Sequence, residues 1–151
     1  EDLRGARTAA EAKSLETEIM DEWMHSGDVE ADSLLLFGIS AMDVGNFAAA
    51  LAAFDELVRM APDFAEAWNQ RATLLYMMGD FDASVHDIER TLALEPRHFG
   101  ALSGLGLIRA RLGDAAAARQ AFAAALEIHP FLRGAAIYLE RLDRQRKGRA
   151  I

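Results

Sequence analysis

The stretch A-E-A-W-N-Q-R-A-T-L-L-Y-M-M-G-D-F-D-A-S-V-H-D-I-E-R-T-L-A-L-E-P, residues 65–96, decides how the whole chain is read. It holds two runs with apolar residues at helical spacing, divided by Gly79-Asp80 and closed by Pro96. Glycine tolerates the left-handed conformation that ends a helix, and the aspartate accepts from the free amides that open the next. Proline then stops the second run, because it has no N–H to continue the ladder. The same punctuation recurs 34 residues to either side: Pro62, Pro96 and Pro130, and Gly45, Gly79 and Gly113. Four further columns keep that register: Leu34, Trp68 and Leu102; Gly38, Ala72 and Gly106; Ala50, Ser84 and Ala118; Phe54, Ile88 and Phe122. Agreement on this scale is the mark of an internal repeat.

Each unit reads as a pair of helices. In the first, Leu34, Phe37, Gly38 and Ala41 make one apolar stripe, and Phe47, Ala50, Leu51, Phe54, Leu57 and Val58 a second. Asn46, Asp80 and Asp114 stand at the start of the second helices as caps. Asp63 and Glu66 have the spacing of a capping box at the start of the second unit. The small residues of the Gly38 and Ala50 columns let two backbones approach while Phe54, Ile88 and Phe122 fill the space alongside. No single pair encloses a core, so the pairs must stack.

These residues resemble the tetratricopeptide repeat family, whose pattern is a W-x2-L-G-x2-Y helix, an A-x3-F helix and a closing proline. The resemblance covers Ala31 to Leu132, with departures: Arg71 replaces the leucine, Leu75 and Arg109 the tyrosine, and Leu57 a small alanine. It implies an all-α, right-handed α-solenoid of three helix pairs over residues 31–64, 65–98 and 99–132. Residues 1–30 then form an N-terminal amphipathic helix and connector, and 133–151 a C-terminal capping helix and tail. The first of these helices, Thr8 to His25, carries Leu15, Ile19, Met20, Trp23 and Met24 on one face and corresponds in register to the second helix of a degenerate earlier unit. The last, Gly134 to Lys147, sets Ala135, Tyr138, Leu139 and Leu142 on one side with Glu140, Arg141, Arg144 and Lys147 mostly opposite, as a helix that covers the final apolar face. The stretch up to Arg7 and the tail Gly148 to Ile151 are expected to fray.

Composition sets the outer bounds. With 151 residues, 52% hydrophobic and 26% charged, the chain is globular and long enough for a core. It has no cysteine, which excludes disulfides and thiol chemistry. The net charge of −8 opposes nonspecific binding of nucleic acid. Charge is uneven: residues 1–32 carry −7 and residues 133–151 carry +4, a distribution that keeps the ends solvated or stacks copies head to tail. No apolar run is long enough to span a bilayer. The first residue, Glu1, is not methionine, which suggests a trimmed start. A helix with Ile19, Trp23 and Ser26-Gly27 before three repeats is similar to small bacterial repeat proteins that often carry an export signal. A periplasmic or exported location is the expectation, with a cytoplasmic one as the alternative.

Catalysis needs a constellation that the chain does not offer. His25, His86, His98 and His129 form no H-E-x-x-H pair. Asp80-x-Asp82-x-Ser84 begins like a calcium loop, but Val85 stands where glycine is required and Thr91 where glutamate is. Gly104-Leu105-Gly106 follows no strand and has Arg109 in place of the third glycine of a dinucleotide motif. The expectation is a non-enzymatic protein with no metal and no cofactor.

In the family, the first helices of successive repeats line a concave groove for extended or helical peptides. Carried onto this sequence, that groove takes Leu35, Ile39 and Met42 from the first unit. The second supplies Asn69, Gln70, Thr73, Tyr76 and Met77, and the third Gly100, Ser103, Gly104, Leu107 and Arg111. The best-known specific groove is a two-carboxylate clamp for an acidic C-terminal tail. Its positions fall on Leu35, Ile39, Gln70, Gly100 and Gly104, none of them basic, so an apolar or amphipathic segment suits the surface better. Gly100 and Gly104 would give a ligand's backbone close access. The expected function is a protein-interaction module with a protein or peptide partner. The alternatives are a self-associating scaffold, with a terminal helix or a second copy covering the groove, and a secretion-type chaperone.

Overall fold

The structure, a computed structural model, describes residues 2–149. A 3-10 turn at Leu3–Gly5 precedes eight helices: α1 (Ala9–Trp23), α2 (Val29–Asp43), α3 (Phe47–Met60), α4 (Ala65–Met78), α5 (Phe81–Leu94), α6 (Phe99–Arg111), α7 (Ala115–Ile128) and α8 (Arg133–Arg149). No strand occurs among the described residues. The chain divides into two compact units, Thr17–Pro96 and a second that joins the chain up to Glu16 to everything from Arg97 on.

In the Thr17–Pro96 unit, α2 pairs with α3, α4 pairs with α5, and α3 packs on α4. The core is Ala31, Leu35, Ala50, Phe54, Leu57, Ala67 and Leu74, all fully buried. The helices start and stop where the punctuation places them. Asn46 accepts from the Ala49 amide at 3.2 Å and Asp80 from the Ala83 amide at 3.2 Å. Gly79 ends α4 at a φ of +83°, left-handed backbone that side chains with a Cβ rarely adopt. One cap differs from expectation. Asp63 does not cap α4; its N-cap is Phe64, with no side-chain hydrogen bond, and Glu66 turns instead to its own helix. Where the repeat replaces alanine by Ser84, the hydroxyl donates to the Ala72 carbonyl across the pair at 2.7 Å, so the polar substitution is satisfied in the core.

Arg71, the departure from the leucine of the repeat, is answered by another. Its Nε and Nη2 donate to both oxygens of Asp87 at 2.7 and 2.9 Å, and its Nη1 to Asp55 at 2.9 Å. The Asp87 side chain is only 1% exposed. The hydrogen bonds to Asp87 raise the Arg71 pKa above the usual arginine value. The indole of Trp68 lies under this guanidinium, 5.1 Å from its centroid, and donates to the Pro62 carbonyl at 2.9 Å.

The second unit pairs α6 with α7 and covers α7 with α8. Phe122, Ala118, Ala125 and Ala135 are buried there, with Leu139 and Leu142 packed against them. The Tyr138 ring stacks on Phe122 at 5.3 Å, and Arg119 donates to Asp143 at 2.7 Å. His98 caps α6: its Nδ1 accepts from the Ala101 amide at 3.0 Å, which leaves that nitrogen without a proton. The N-terminal segment departs from expectation. Residues 2–6 are not frayed: Leu3 is 1% exposed, its turn packs on α7, and Asp2 pairs with Arg97 at 3.1 Å. Nor is the first half of α1 the second helix of an earlier repeat; its Ala12 is buried, and Glu16 lies 3.4 Å from Nε2 of His129. The amphipathic face exists, but a helix pattern specifies no receiving surface, and here the third helix pair supplies one. The expectation of a frayed tail from Gly148 reaches beyond the described residues.

Two outcomes follow for stability. A Cβ on Gly106 would stand 2.7 Å from the buried Phe122 ring. Gly106→Ala therefore loses stability in spite of its better helix propensity, by up to about 2 kcal/mol in urea unfolding, since overpacking costs about 1–3 kcal/mol and the propensity returns about 1. Arg71→Leu, which restores the family residue, takes the guanidinium from the buried Asp87 carboxylate, leaves it the His86 ring at 3.2 Å, and costs about 3 kcal/mol; Arg71→Leu with Asp87→Leu recovers most of it.

Candidate protein-binding surface

The residues expected to line a groove lie on α2, α4 and α6, and the structure sorts them into three kinds. Leu35 and Met42 are core residues: Leu35 is 0% and Met42 7% exposed, and neither presents a surface. Ile39 is half-buried against the same cluster, and Met24, from the connector after α1, packs on it too. The correction has a simple origin. Leu34, Leu35 and Leu36 leave α2 apolar almost all round, so periodicity does not select which face turns inward.

On α4 the five candidates form one face, with spacings of one, three, three and one along the helix. Glu66, one turn earlier and 6% exposed, organises it. Its Oε1 accepts from Asn69 Nδ2 at 3.1 Å and from Gln70 Nε2 at 2.6 Å. Each amide is thereby oriented, with its carbonyl oxygen turned away from the carboxylate and its second N–H still a donor. Thr73 donates to the Asn69 carbonyl at 3.1 Å. Tyr76, half-buried, leans on Phe81 with ring centroids 5.7 Å apart, and Met77 is 50% exposed. Glu66 is the member that sequence reading missed. Its positions three and four residues before Asn69 and Gln70 are the spacings at which helix side chains meet, which was the available sign.

On α6, within the other unit, Gly100 and Arg111 are exposed, while Ser103, Gly104 and Leu107 are half-buried. The Ser103 hydroxyl is buried and makes no hydrogen bond. Leu107 packs on the cluster around Phe122. Gly100 stands beside the ring of His98, to which a Cβ would come within 3.3 Å.

Each unit also has an open cavity at a turn between helix pairs. In the Thr17–Pro96 unit it measures about 390 Å³ and is lined by Trp23 and Ser26 together with Phe64, Glu22, Glu66 and Glu95. Beside it, Ser26 donates from its amide and its hydroxyl to Asp32 at 2.7 and 2.6 Å, and the hydroxyl bond first, then the amide, holds that carboxyl below its usual range. In the second unit a cavity of about 710 Å³ lies between the first half of α1 and the start of α8, lined by Lys13, Glu16, His129 and Arg133. Among the described residues no three His, Asp or Glu are gathered as a metal site, and no helix is long and apolar enough to cross a membrane.

The comparisons agree with this architecture. The family model described as tetratricopeptide repeat matches residues 35–77 and 69–132. A TPR repeat-containing protein of Rhizobium etli is 39% identical over 128 residues, which is 85% of this chain and 63% of that protein, so the chain spans somewhat under two thirds of this relative. Human tetratricopeptide repeat protein 36 is 28% identical over 62% of this chain and 49% of its own length. Among solved structures, the first TPR of Spaghetti bound to an HSP90 peptide superposes with a TM-score of 0.73 at 20% identity, over 76% of this chain and 91% of that one. The Sgt2 TPR domain of Aspergillus fumigatus gives 0.74 at 23% identity, over 80% of this chain and 81% of its own. These likenesses show the fold of tetratricopeptide solenoid domains. With its repeat columns, its helix pairs and a family model that covers most of residues 35–132, the chain belongs to the tetratricopeptide repeat family.

Proposed function

We propose that the chain is a non-enzymatic protein-interaction module and that it holds an apolar or amphipathic segment of a partner protein along α4. The observation that carries this reading is the α4 face: Asn69 and Gln70 held in place by Glu66, beside Tyr76 and an exposed Met77. Polar groups whose geometry is already set lose little freedom on binding, and a methionine adapts to the apolar residue placed on it. The fixed amides supply hydrogen bonds to a peptide backbone, and Tyr76 and Met77 supply contact area.

The solved relative that carries an HSP90 peptide supports peptide binding as the mode, not the same ligand. The positions that match the carboxylate clamp, Leu35, Ile39, Gln70, Gly100 and Gly104, hold no positive charge, and Leu35 is inside the core. An acidic C-terminal tail therefore finds no partner there, and the cavity with Glu22, Glu66 and Glu95 repels it further. On α6, Gly100, Gly104 and Arg111 remain candidates for a second set of contacts within their own unit.

The test is a peptide display selection against the purified chain, followed by affinity measurement on variants. Met77→Asp and Tyr76→Ala are expected to weaken the selected peptide about tenfold or more, with thermal midpoints close to the parent. If both fold and bind as the parent does, α4 is not the binding face. Leu35→Asp behaves differently: it buries an unpaired charge and is expected to unfold the chain, which circular dichroism reads directly.

A further inference from the structure

Helix α2 turns a second face outward, away from Leu35 and Met42. Val29 is 83% exposed, Val44 81%, Leu36 57% and Phe37 56%. Phe37, read from sequence as part of an inward stripe, is thus among the most exposed large apolar side chains of the molecule. Ser33 and Ser40 are exposed on the same face. At 100° per residue the five helical positions, with Val44 as the C-cap that follows them, fall within about one third of the helix circumference. The four apolar side chains together expose on the order of several hundred Å², the size of the largest patch on a typical monomer and one that is often functional.

The order of residues on this face reads the same in both directions. From the midpoint between Leu36 and Phe37, the next positions outward are Ser33 and Ser40, and then Val29 and Val44. An interface built on a two-fold axis requires that property, because residue i of one copy meets j of the other and j meets i. We infer that α2 is a self-association surface, and that two copies pair antiparallel across it about an axis at Leu36 and Phe37. Val29 then meets Val44 of the second copy, Ser33 meets Ser40, and Leu36 meets Phe37. The serines, with little bulk a turn from the centre, let the helices close to the usual packing distance of about 8–10 Å. Two such faces bury on the order of 1,000 Å², the lower end for a specific interface, so the dimer belongs to the weak, reversible class.

Charge separates this geometry from a head-to-tail stack of acidic front on basic back. Glu30, Asp32 and Asp43 flank the α2 face. A two-fold pair brings these acids of both copies into one neighbourhood, so salt strengthens it by screening repulsion; a stack of opposite charges weakens in salt. The inference is independent of the α4 reading, since Met77→Asp leaves α2 untouched.

The chain has no cysteine, which permits a direct geometric test. In the proposed register, position 33 lies opposite position 40 of the second copy, while the two copies of position 33 are about 10 Å apart along the axis, beyond disulfide reach. Ser33→Cys with Ser40→Cys is therefore expected to give a covalent dimer on mild oxidation, and neither single variant is. Sedimentation velocity of the cysteine-free chain is expected to show a monomer–dimer equilibrium that tightens from about 0.05 to 0.5 M salt and weakens at least about tenfold with Phe37→Asp. A monomer at all concentrations, association that weakens in salt, or single variants that cross-link as well as the double, would each overturn the inference.

Discussion

Everything in this molecule depends on how closely the two helices of a pair approach. Where Gly38 faces Phe54 and Gly106 faces Phe122, the aromatic ring occupies the space that a Cβ would take. The ring is buried as a result, and the glycine's cost in helix propensity is offset by contact across the pair. The middle pair solves the same problem differently, with Ala72, Ser84 and Ile88 and a hydrogen bond from the Ser84 hydroxyl to the Ala72 carbonyl. Close approach then dictates the rest: each pair is too thin to enclose a core and must be covered by a neighbour, which α8 supplies for α7.

Most polar side chains that enter the core do so in matched sets, the Ser103 hydroxyl and Nδ1 of His129 being buried without a partner. Arg71 takes the place of a repeat leucine, and Asp87 closes the guanidinium fork from the adjoining helix. Glu66 enters with Asn69 and Gln70 as its donors, and His98 with the Ala101 amide. Each is satisfied by neighbours on the same helix or helix pair.

Sequence pattern read the helix pairs, the caps at Asn46, Asp80 and Asp114 and the covering role of α8 correctly, because those follow from local chemistry at fixed spacing. It read α2 incorrectly. Four successive apolar residues, Leu34 to Phe37, satisfy any inward face, and the arrangement with Leu35 inside and Phe37 outside was set by which surfaces α3 and α4 present. The capping box failed for a similar reason: spacing allowed Asp63 and Glu66 to cap each other, but α4 begins a residue later and Glu66 is held by the two amides below it.

The sequence by itself determined that this chain is a helical repeat, where most of the repeat helices start and stop, and that the positions matching a carboxylate clamp hold no basic residue. Those are statements about single residues and short spacings. Only the tertiary structure decided that the N-terminal segment joins the third helix pair through Leu3, Ala12 and the Glu16–His129 contact, partners more than one hundred residues apart in the last case. It also decided which apolar residues are core and which remain open on α2 and α4. Burial of an apolar face is non-directional: the pattern says that a helix must be covered, and only the assembled chain says by what.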